Sequence, residues 1–150
     1  MRQGLLALLM ALLTGCAFFG PKQTVLEMNI SAGPALNPSV QGRASPVVVR
    51  VFELKNPATF EDADFMSLYE HEREVLAADL VARDELVITP GEKRRIERVL
   101  QEETKLLGIV VAFRALERAT WRTSIAIRTN KKNKITLTMD DVVVSAAPAK

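Results

Sequence analysis

The stretch VVVRVFEL, residues 47–54, decides the fold of this chain. Both of its alternating faces are apolar, apart from Arg50 and Glu53. A strand with apolar residues on both faces is typical of a sheet interior, where another layer covers each side. The stretch therefore predicts a central strand, and the other elements must supply its neighbours and its two covering layers.

Apolar segments before and after this stretch predict the neighbouring strands. In TVLEMNIS (24–31), every second residue is apolar, which is the pattern of a half-buried strand. Six more extended segments follow later in the chain: ELVIT (85–89), EKRRIERVL (92–100), LLGIVVAFR (106–114), TWRTSIAIRT (120–129), KITLTM (134–139) and VVVSA (142–146). Seven or eight strands without a strand–helix alternation predict a mainly β protein built as an antiparallel sandwich.

Turn residues help to place one strand and one hairpin loop in the second half of the chain. Residues 93–100 also fit a helical spacing, but the Pro90-Gly91 turn just before them favours a strand. The segment from Asn130 to Asn133 is interpreted as a hairpin loop between two strands. We therefore expect the second half of the chain to run as strands at hairpin intervals.

One helical interruption is expected after the central strand. Pro57 ends the strand, and Thr59 with Asp62 three residues later fits a capping box at a helix start. A second short helix would span about 74–82. The first helix would turn an i, i+3, i+4 apolar stripe toward the core: Phe65, Leu68 and Tyr69.

The first 16 residues have the order of a lipoprotein signal peptide. Arg2 precedes LLALLMALL (5–13), an apolar run shorter than the roughly 20 residues that a membrane-spanning helix needs. The run ends in Leu13-Thr14-Gly15-Cys16, which resembles the lipobox at which bacterial lipoproteins are lipidated and cut before the cysteine. The alternative is a buried N-terminal helix, although the charge order and the Pro-containing exit favour a signal peptide.

This interpretation divides the chain into three parts. Residues 1–15 would be a removed signal peptide, 16–23 a lipidated tether and 24–147 one β-sandwich domain. The expected attached group is the lipid on Cys16, an S-diacylglycerol with an N-acyl chain, and no other cofactor is expected. Ala17 follows where Asp usually marks retention at the inner membrane, so the motif implies the inner leaflet of the outer membrane.

Composition and side-chain chemistry speak against catalysis. The single cysteine excludes an internal disulfide, and no Cys/His cluster is available for a metal. His71, the only histidine, lies in a charged run without the partners of a catalytic triad. Without Arg2, the 20 basic residues become 20 − 1 = 19, against 18 acidic ones. We therefore expect no enzyme, no metal, no nucleic-acid partner and no small-molecule substrate.

The segment between the first two strands, residues 33–46, is longer than a sandwich hairpin needs and contains three prolines and two glycines. Long loops on rigid sheets often carry recognition. We predict that this loop binds a partner, because apolar or rigid groups lower the ordering cost of an interface. A loop packed back on its own sheet is the alternative. The predicted contact residues are Leu36, Asn37, Pro38, Ser39 and Val40.

Four blocks behind the lipobox resemble the TssJ family, the outer-membrane lipoproteins of the bacterial type VI secretion system. They are PALNPSVQGRASPVVVRVFELKN (34–56), FEDADFMSLYE (60–70), ITPGEKRRIERVL (88–100) and GIVVAFRALERATWR (108–122). In the last block, Phe113 and Ala115 stand where the family commonly has Tyr and Asp. Neither is a catalytic position, so the departure puts no function in doubt.

The resemblance implies a transthyretin-like β-sandwich with a small helical insertion, held at the outer membrane and facing the periplasm. It also implies binding to the periplasmic C-terminal region of the inner-membrane protein TssM, which together with TssL completes an envelope-spanning complex. In the family the loop between the first two strands takes part in that contact, and here it corresponds to residues 33–45. Two other classes remain open: a generic periplasm-facing lipoprotein that carries a hydrophobic ligand, and a periplasmic hydrolase.

Overall fold

The computed structural model describes residues 22–149. The predicted signal peptide, Cys16 and most of the tether therefore lie outside the described residues. Within them the chain forms eight strands: β1 (Val25–Ala32), β2 (Val47–Leu54), β3 (Leu80–Ile88), β4 (Lys93–Val99), β5 (Leu106–Val111), β6 (Arg122–Ala126), β7 (Lys132–Asp140) and β8 (Val143–Pro148). The helical elements between β2 and β3 are α1 (Ala58–Asp62), α2 (Phe65–Glu70), α3 (Glu72–Leu76) and a 3₁₀ turn, Ala77–Asp79.

The strands form two four-stranded sheets, in the orders β4-β1-β7-β8 and β3-β2-β5-β6, with a shared apolar core between them. The predicted mainly β sandwich with a helical insertion after the second strand is confirmed. One pairing departs from a purely antiparallel arrangement, because β1 runs parallel to β7 with Val25 opposite Lys132. A parallel pair needs a long crossover connection. Here the chain makes that crossover by building the second sheet between β1 and β7.

The predicted central strand, β2, lies between β3 and β5. Its residues Val47, Val49 and Val51 are buried in the core between the sheets. Phe52 and Leu54 are buried in a second apolar cluster, beneath the helices. Both faces of β2 are therefore covered, one by the opposite sheet and the other by the helical layer, as the apolar pattern predicts.

The second cluster seats the helices on β5. Phe60 of α1, Leu68 of α2 and Leu76 of α3 are each at most 1% exposed and pack in one cluster with Phe52 and Leu54. At Gly108 of β5 an added Cβ would lie only 2.7 Å from a ring carbon of Phe60. The close approach of the helical layer thus depends on the absence of a side chain at this glycine.

The predicted helix start is wrong in its details. Pro57 occupies the N-cap position of α1 without a side-chain cap, and the Thr59 hydroxyl donates instead to Asp79 at 3.3 Å. The cap is on α2, where an Asp64 oxygen accepts from the Ser67 backbone N–H at 3.0 Å. The three-residue spacing of Thr59 and Asp62 was misleading because Pro57 already fixes a helical backbone at the start of α1.

The apolar stripe on the second helix is confirmed. Leu68 is buried, and the rings of Phe65 and Tyr69 stack at 5.1 Å between centroids. The helix predicted over about 74–82 begins earlier, at Glu72, and helical structure ends at Asp79. Leu80 instead starts β3, because it pairs with Leu54 of β2.

Two turns that were expected to close hairpins instead connect strands of different sheets. β4 is a strand, as predicted, but it pairs with β1, whereas β3 pairs with β2, so the Pro90-Gly91 turn crosses between sheets. The segment from Asn130 to Asn133 likewise leads from β6 in one sheet to β7 in the other. No helix among residues 22–149 is long and apolar enough to cross a membrane.

Candidate partner-binding surface

The loop between β1 and β2 is fixed at its base by the core. Leu36 has no exposed surface and belongs to the cluster between the sheets. Gly33 donates its N–H to the carbonyl of Met139 at 2.7 Å. A Cβ at Gly33 would clash with the Asp140 side chain, whose own Cβ would lie 2.8 Å away, so a larger residue would require Asp140 to shift. The first residues of the loop are therefore part of the folded sandwich.

Asn37 is the polar centre of the loop. It is 3% exposed, and its backbone has a φ of 48°, in the left-handed region that Asn tolerates better than most residues. Its Nδ2 donates to the Pro46 carbonyl at 2.9 Å, and its Oδ1 accepts from the Arg114 N–H at 2.8 Å. Its carbonyl accepts from the Ser45 hydroxyl at 2.6 Å. This one amide thus joins both sides of the loop to the segment after β5.

A tight turn closes the tip of the loop. The Ser39 N–H donates to the Arg43 carbonyl and the Gly42 N–H to the Ser39 carbonyl, both at 2.8 Å. Gly42 has a φ of 74°, which favours glycine. Val40 projects from this turn and is fully exposed. The backbone of the tip is thus fixed by hydrogen bonds while an apolar side chain faces solvent.

The loop borders a second segment, the 3₁₀ turn Leu116–Arg118 and the residues before it. The two segments line a surface cleft of about 350 Å³: Pro38, Ser39, Val40, Arg114, Ala115, Glu117 and Arg118. Arg114 also donates from Nε to the Ser45 hydroxyl at 3.1 Å. The surface therefore combines an apolar tip with two arginines and one glutamate.

The structure divides the five predicted contact residues. Leu36 and Asn37 are buried, which corrects their expected role as surface contacts: they hold the loop in shape from within. Pro38 and Ser39 are half-buried at the cleft, and Val40 is exposed. The loop packs back on its sheets at its base, as the alternative interpretation held, while its tip stays free of the core.

Sequence reasoning missed the contribution of residues 114–118. Their charged pattern follows a buried strand without any apolar periodicity, and this was the available signal for an exposed segment. Long-range hydrogen bonds place this segment beside the loop: the Arg114 N–H donates to Asn37, 77 positions earlier, and its Nε donates to the Ser45 hydroxyl. We call residues 33–46 together with 112–118 the loop pole.

The loop pole lies at the opposite end of the sandwich from the point where the described chain begins. β1 starts next to Thr24 and ends at Ala32, immediately before the loop. Eight residues of strand separate the two ends by about 25 Å. Any attachment before residue 22 therefore enters at the far end from Val40.

The described residues offer little to catalysis. Among residues 22–149, no group of three or more His, Cys, Asp or Glu side chains is placed to hold a metal ion. His71 is exposed where α2 meets α3, with Glu70 at 4.0 Å as its one acidic neighbour within ion-pair distance in the described part of the chain. The loop pole instead presents an exposed apolar side chain beside charged ones.

Comparison with known families gives one match. Residues 24–142 match the model described as "Type VI secretion lipoprotein, VasD, EvfM, TssJ, VC_A0113". No curated protein matches the chain.

Solved structures match over most of the chain. The type VI secretion lipoprotein TssJ1 from Pseudomonas aeruginosa is 37% identical, with a TM-score of 0.82, covering 85% of this chain and 98% of that one. Serratia marcescens Lip, a membrane-bound component of the type VI secretion system, is 20% identical with a TM-score of 0.77, covering 85% and 99%. A chain in the structure of the TssM C-terminal domain from EAEC is 22% identical with a TM-score of 0.69, covering 84% and 99%. The last two likenesses concern the fold alone.

Proposed function

Because the chain belongs to the TssJ family of type VI secretion lipoproteins, we propose that it is a structural component of the type VI secretion membrane complex, bound through its loop pole to the periplasmic C-terminal region of TssM. TssL would be reached indirectly, through TssM. The fold is shared with chains in structures of the TssM C-terminal domain and of a type VI membrane complex, which supports this assignment.

One observation carries the proposal: backbone hydrogen bonds close the tip of the loop, and the tip exposes Val40. Hydrogen bonds of 2.8 Å close the turn between Ser39 and Arg43, and Asn37 fixes the loop below it. A surface that is already ordered does not lose that conformational entropy on binding, so more of the contact energy remains as affinity. The arginines beside Val40 add a charged rim that would favour acidic groups on the partner.

The anchor is part of the same proposal. Cys16, at the end of the lipobox Leu13-Thr14-Gly15-Cys16, would carry the lipid and hold the chain in the inner leaflet of the outer membrane. Two or more acyl chains are needed for stable attachment, since each buried CH₂ contributes about 0.8 kcal/mol. Because the described chain starts at the end opposite Val40, the loop would then face away from that membrane.

The partner contact is tested by charge placed at the loop tip. Val40→Asp should weaken capture of the periplasmic region of TssM by roughly tenfold or more, since truncated or repelled hot-spot residues cost 2 kcal/mol or more. Val99→Asp is the matched control, because Val99 is 51% exposed and lies at the other end of the sandwich. If the folded Val40→Asp protein captures TssM as well as the control does, the loop is not the binding site.

The anchor is tested separately with labelled palmitate. The parent chain should incorporate the label and Cys16→Ser should not. Label in the Cys16→Ser chain would contradict the lipoprotein assignment.

The alternative, a lipoprotein that carries a hydrophobic ligand, has no observation in its favour among the described residues. Their two apolar clusters consist of packed side chains, and the clefts are open to the surface.

A further inference from the structure

Five exposed cations surround the end of the sandwich where the described chain begins. This end, which we call the anchor pole, comprises residues 22–24, 100–105 and 127–134, joined by hydrogen bonds from Val25 N–H to the Lys131 carbonyl and from Leu100 N–H to the Thr24 carbonyl. Within residues 22–149 these five cations form no ion pair: Lys22, Lys105, Arg128, Lys131 and Lys134.

Acidic residues at this pole are mostly engaged elsewhere. Glu103 pairs with Lys55 at 3.0 Å, and Glu97 pairs with Lys132 at 3.0 Å. Glu102, in the cleft beside Lys22, is the exposed acid here that has no ion pair within the described chain. The anchor pole therefore carries a net positive charge that its own carboxylates do not cancel.

The arginines of β4, unlike the cations of the anchor pole, are all engaged in ion pairs. Arg95 pairs with Glu27 at 3.0 Å, Arg98 with Asp84 at 3.0 Å and Arg94 with Glu92 at 2.6 Å. The three arginines of this basic run are thus paired with carboxylates within the fold, whereas Lys93 is exposed. The five cations of the anchor pole differ from these arginines, because no carboxylate within residues 22–149 pairs with them.

The cation-bearing loop is held in place. The Asn133 side chain is buried, accepts from the Arg128 N–H at 2.8 Å and donates to the Arg128 carbonyl at 2.9 Å. The Asn130 N–H donates to the Thr24 hydroxyl at 2.8 Å. The backbone that carries Lys131 and Arg128 is therefore fixed beside the point of chain entry.

An apolar cleft lies next to these cations. It has a volume of about 340 Å³, with Ile125, Ile135 and Pro148 in its lining and Arg128 and Lys134 beside them. Apolar surface bordered by cations is the pattern of proteins that rest on anionic lipid interfaces, because each component meets its counterpart at the headgroup level.

We propose that the anchor pole is a docking surface for the anionic phospholipid headgroups of the membrane that holds the anchor. The inference rests on the proposed lipidation at Cys16. Thr24 follows Cys16 by eight positions, so the pole lies within about 28 Å of the lipid even with the tether fully extended. The tether alone leaves the domain free to tilt. Contact between the cations and the headgroups orients it, with the loop pole pointing into the periplasm.

The test uses the chain from residue 16 onward with Cys16→Ser, which lacks the lipid but retains the whole described domain. Its partition onto phosphatidylglycerol/phosphatidylethanolamine vesicles should exceed that onto phosphatidylcholine vesicles and fall as salt is raised. Lys131→Gln with Lys134→Gln should weaken it by about 25-fold, since each cation near an anionic surface contributes about fivefold. Both lysines are exposed, so thermal unfolding should match the parent.

Lys93→Gln with Arg73→Gln is the matched control, because it removes the same charge from exposed positions outside the anchor pole. It should bind the anionic vesicles like the parent. Equal binding by the Lys131/Lys134 variant and the control, or equal binding of the parent to both vesicle types, overturns the proposal. The result is independent of acylation and of TssM, so a failure here is distinguishable from a failure in the palmitate or capture experiments.

Discussion

Asn37 shows how one side chain shapes a whole surface. It is buried, it has a positive φ, and its amide and carbonyl bond to Pro46, Arg114 and Ser45. A buried polar group that loses its partner costs about 1–3 kcal/mol, so the three contacts have to be kept together. The exposed position of Val40 therefore depends on a residue that is itself buried.

Asn37→Ala should lower the free energy of unfolding by about 1–3 kcal/mol, because the Arg114 N–H and the Pro46 carbonyl lose their partners. The measurement is urea-induced unfolding followed by circular dichroism. Asn29→Ala is the control, since Asn29 lies on the outer face of β1 and is half-exposed. An unfolding midpoint shared by the two variants would show that the amide does not hold the loop.

Asp64 is a second residue whose role is local. Its carboxylate accepts from both the N–H and the hydroxyl of Ser67, at 3.0 and 2.7 Å, and so caps α2. Asp64→Ala should therefore cost about 1 kcal/mol in unfolding free energy. Asp62→Ala should change it by less than about 0.5 kcal/mol, because Asp62 is exposed at the end of α1. If the two variants lose the same unfolding free energy, the capping box predicted at Thr59 and Asp62 is supported instead.

At the scale of elements, the helical layer packs closely on β5 because Gly108 has no side chain. The ring of Phe60 approaches Gly108 so closely that a Cβ would lie 2.7 Å from it. A methyl group of Leu54 in β2 would lie 2.9 Å from the same Cβ. The helical layer that covers the outer face of β2 thus packs on β5 through contact between the Phe60 ring and the backbone of Gly108.

Gly108→Ala should destabilise the protein by about 1–3 kcal/mol, because Phe60 must leave its packed position. Thermal unfolding measures the effect. Ser124→Ala is the control, since Ser124 pairs with Gly108 across the sheet and its hydroxyl makes only an exposed 3.3 Å contact. Adding Phe60→Leu to Gly108→Ala should recover part of the loss. A double mutant whose losses simply add would place the strain elsewhere.

For the whole molecule, ionised side chains tie distant segments together. Lys132 donates to the Glu27 carboxylate and Arg95 lies nearby, so the pKa of Glu27 is held below its ordinary value. The backbone N–H and hydroxyl of Thr89 do the same for the pKa of Glu92, as the hydroxyl and N–H of Ser67 do for the pKa of Asp64. Glu27 and Glu97, in turn, raise the pKa of Lys132.

These shifts set the sign of the pH dependence. A carboxyl with a lowered folded-state pKa stabilises the fold above its unfolded pKa of about 4 and stops doing so as pH falls through the folded value. Lys132 stabilises below about pH 10 and loses this contribution as pH rises through its raised pKa.

Urea midpoints should therefore be level across neutral pH and decline below about pH 4. Glu27→Gln should lower the midpoint at pH 7 and flatten the acid decline, because its carboxylate no longer titrates. Unfolding curves between pH 2 and 8 measure both effects. If the midpoint of Glu27→Gln falls as steeply at low pH as that of the parent, other groups than Glu27 cause the loss of stability in acid.

The sequence by itself determined the strands, because burial of one face leaves a local alternation that is visible without knowing the partner. Leu26, Met28 and Ile30 of β1 and the two apolar faces of β2 are where the pattern put them. The helical stripe at Leu68 and the lipobox ending in Cys16 are local signals of the same kind, although the lipobox lies outside the described residues.

Only the tertiary structure decided which strands meet. The parallel pairing of β1 with β7 and the crossing turn at Pro90-Gly91 depend on packing between segments far apart in sequence, which leaves no local trace. For the same reason Leu36 could be recognised as apolar but not as buried, and residues 114–118 could not be placed beside Asn37. Composition and periodicity report what a residue prefers, whereas the long-range contacts decide which residues face a partner and which hold the surface in place.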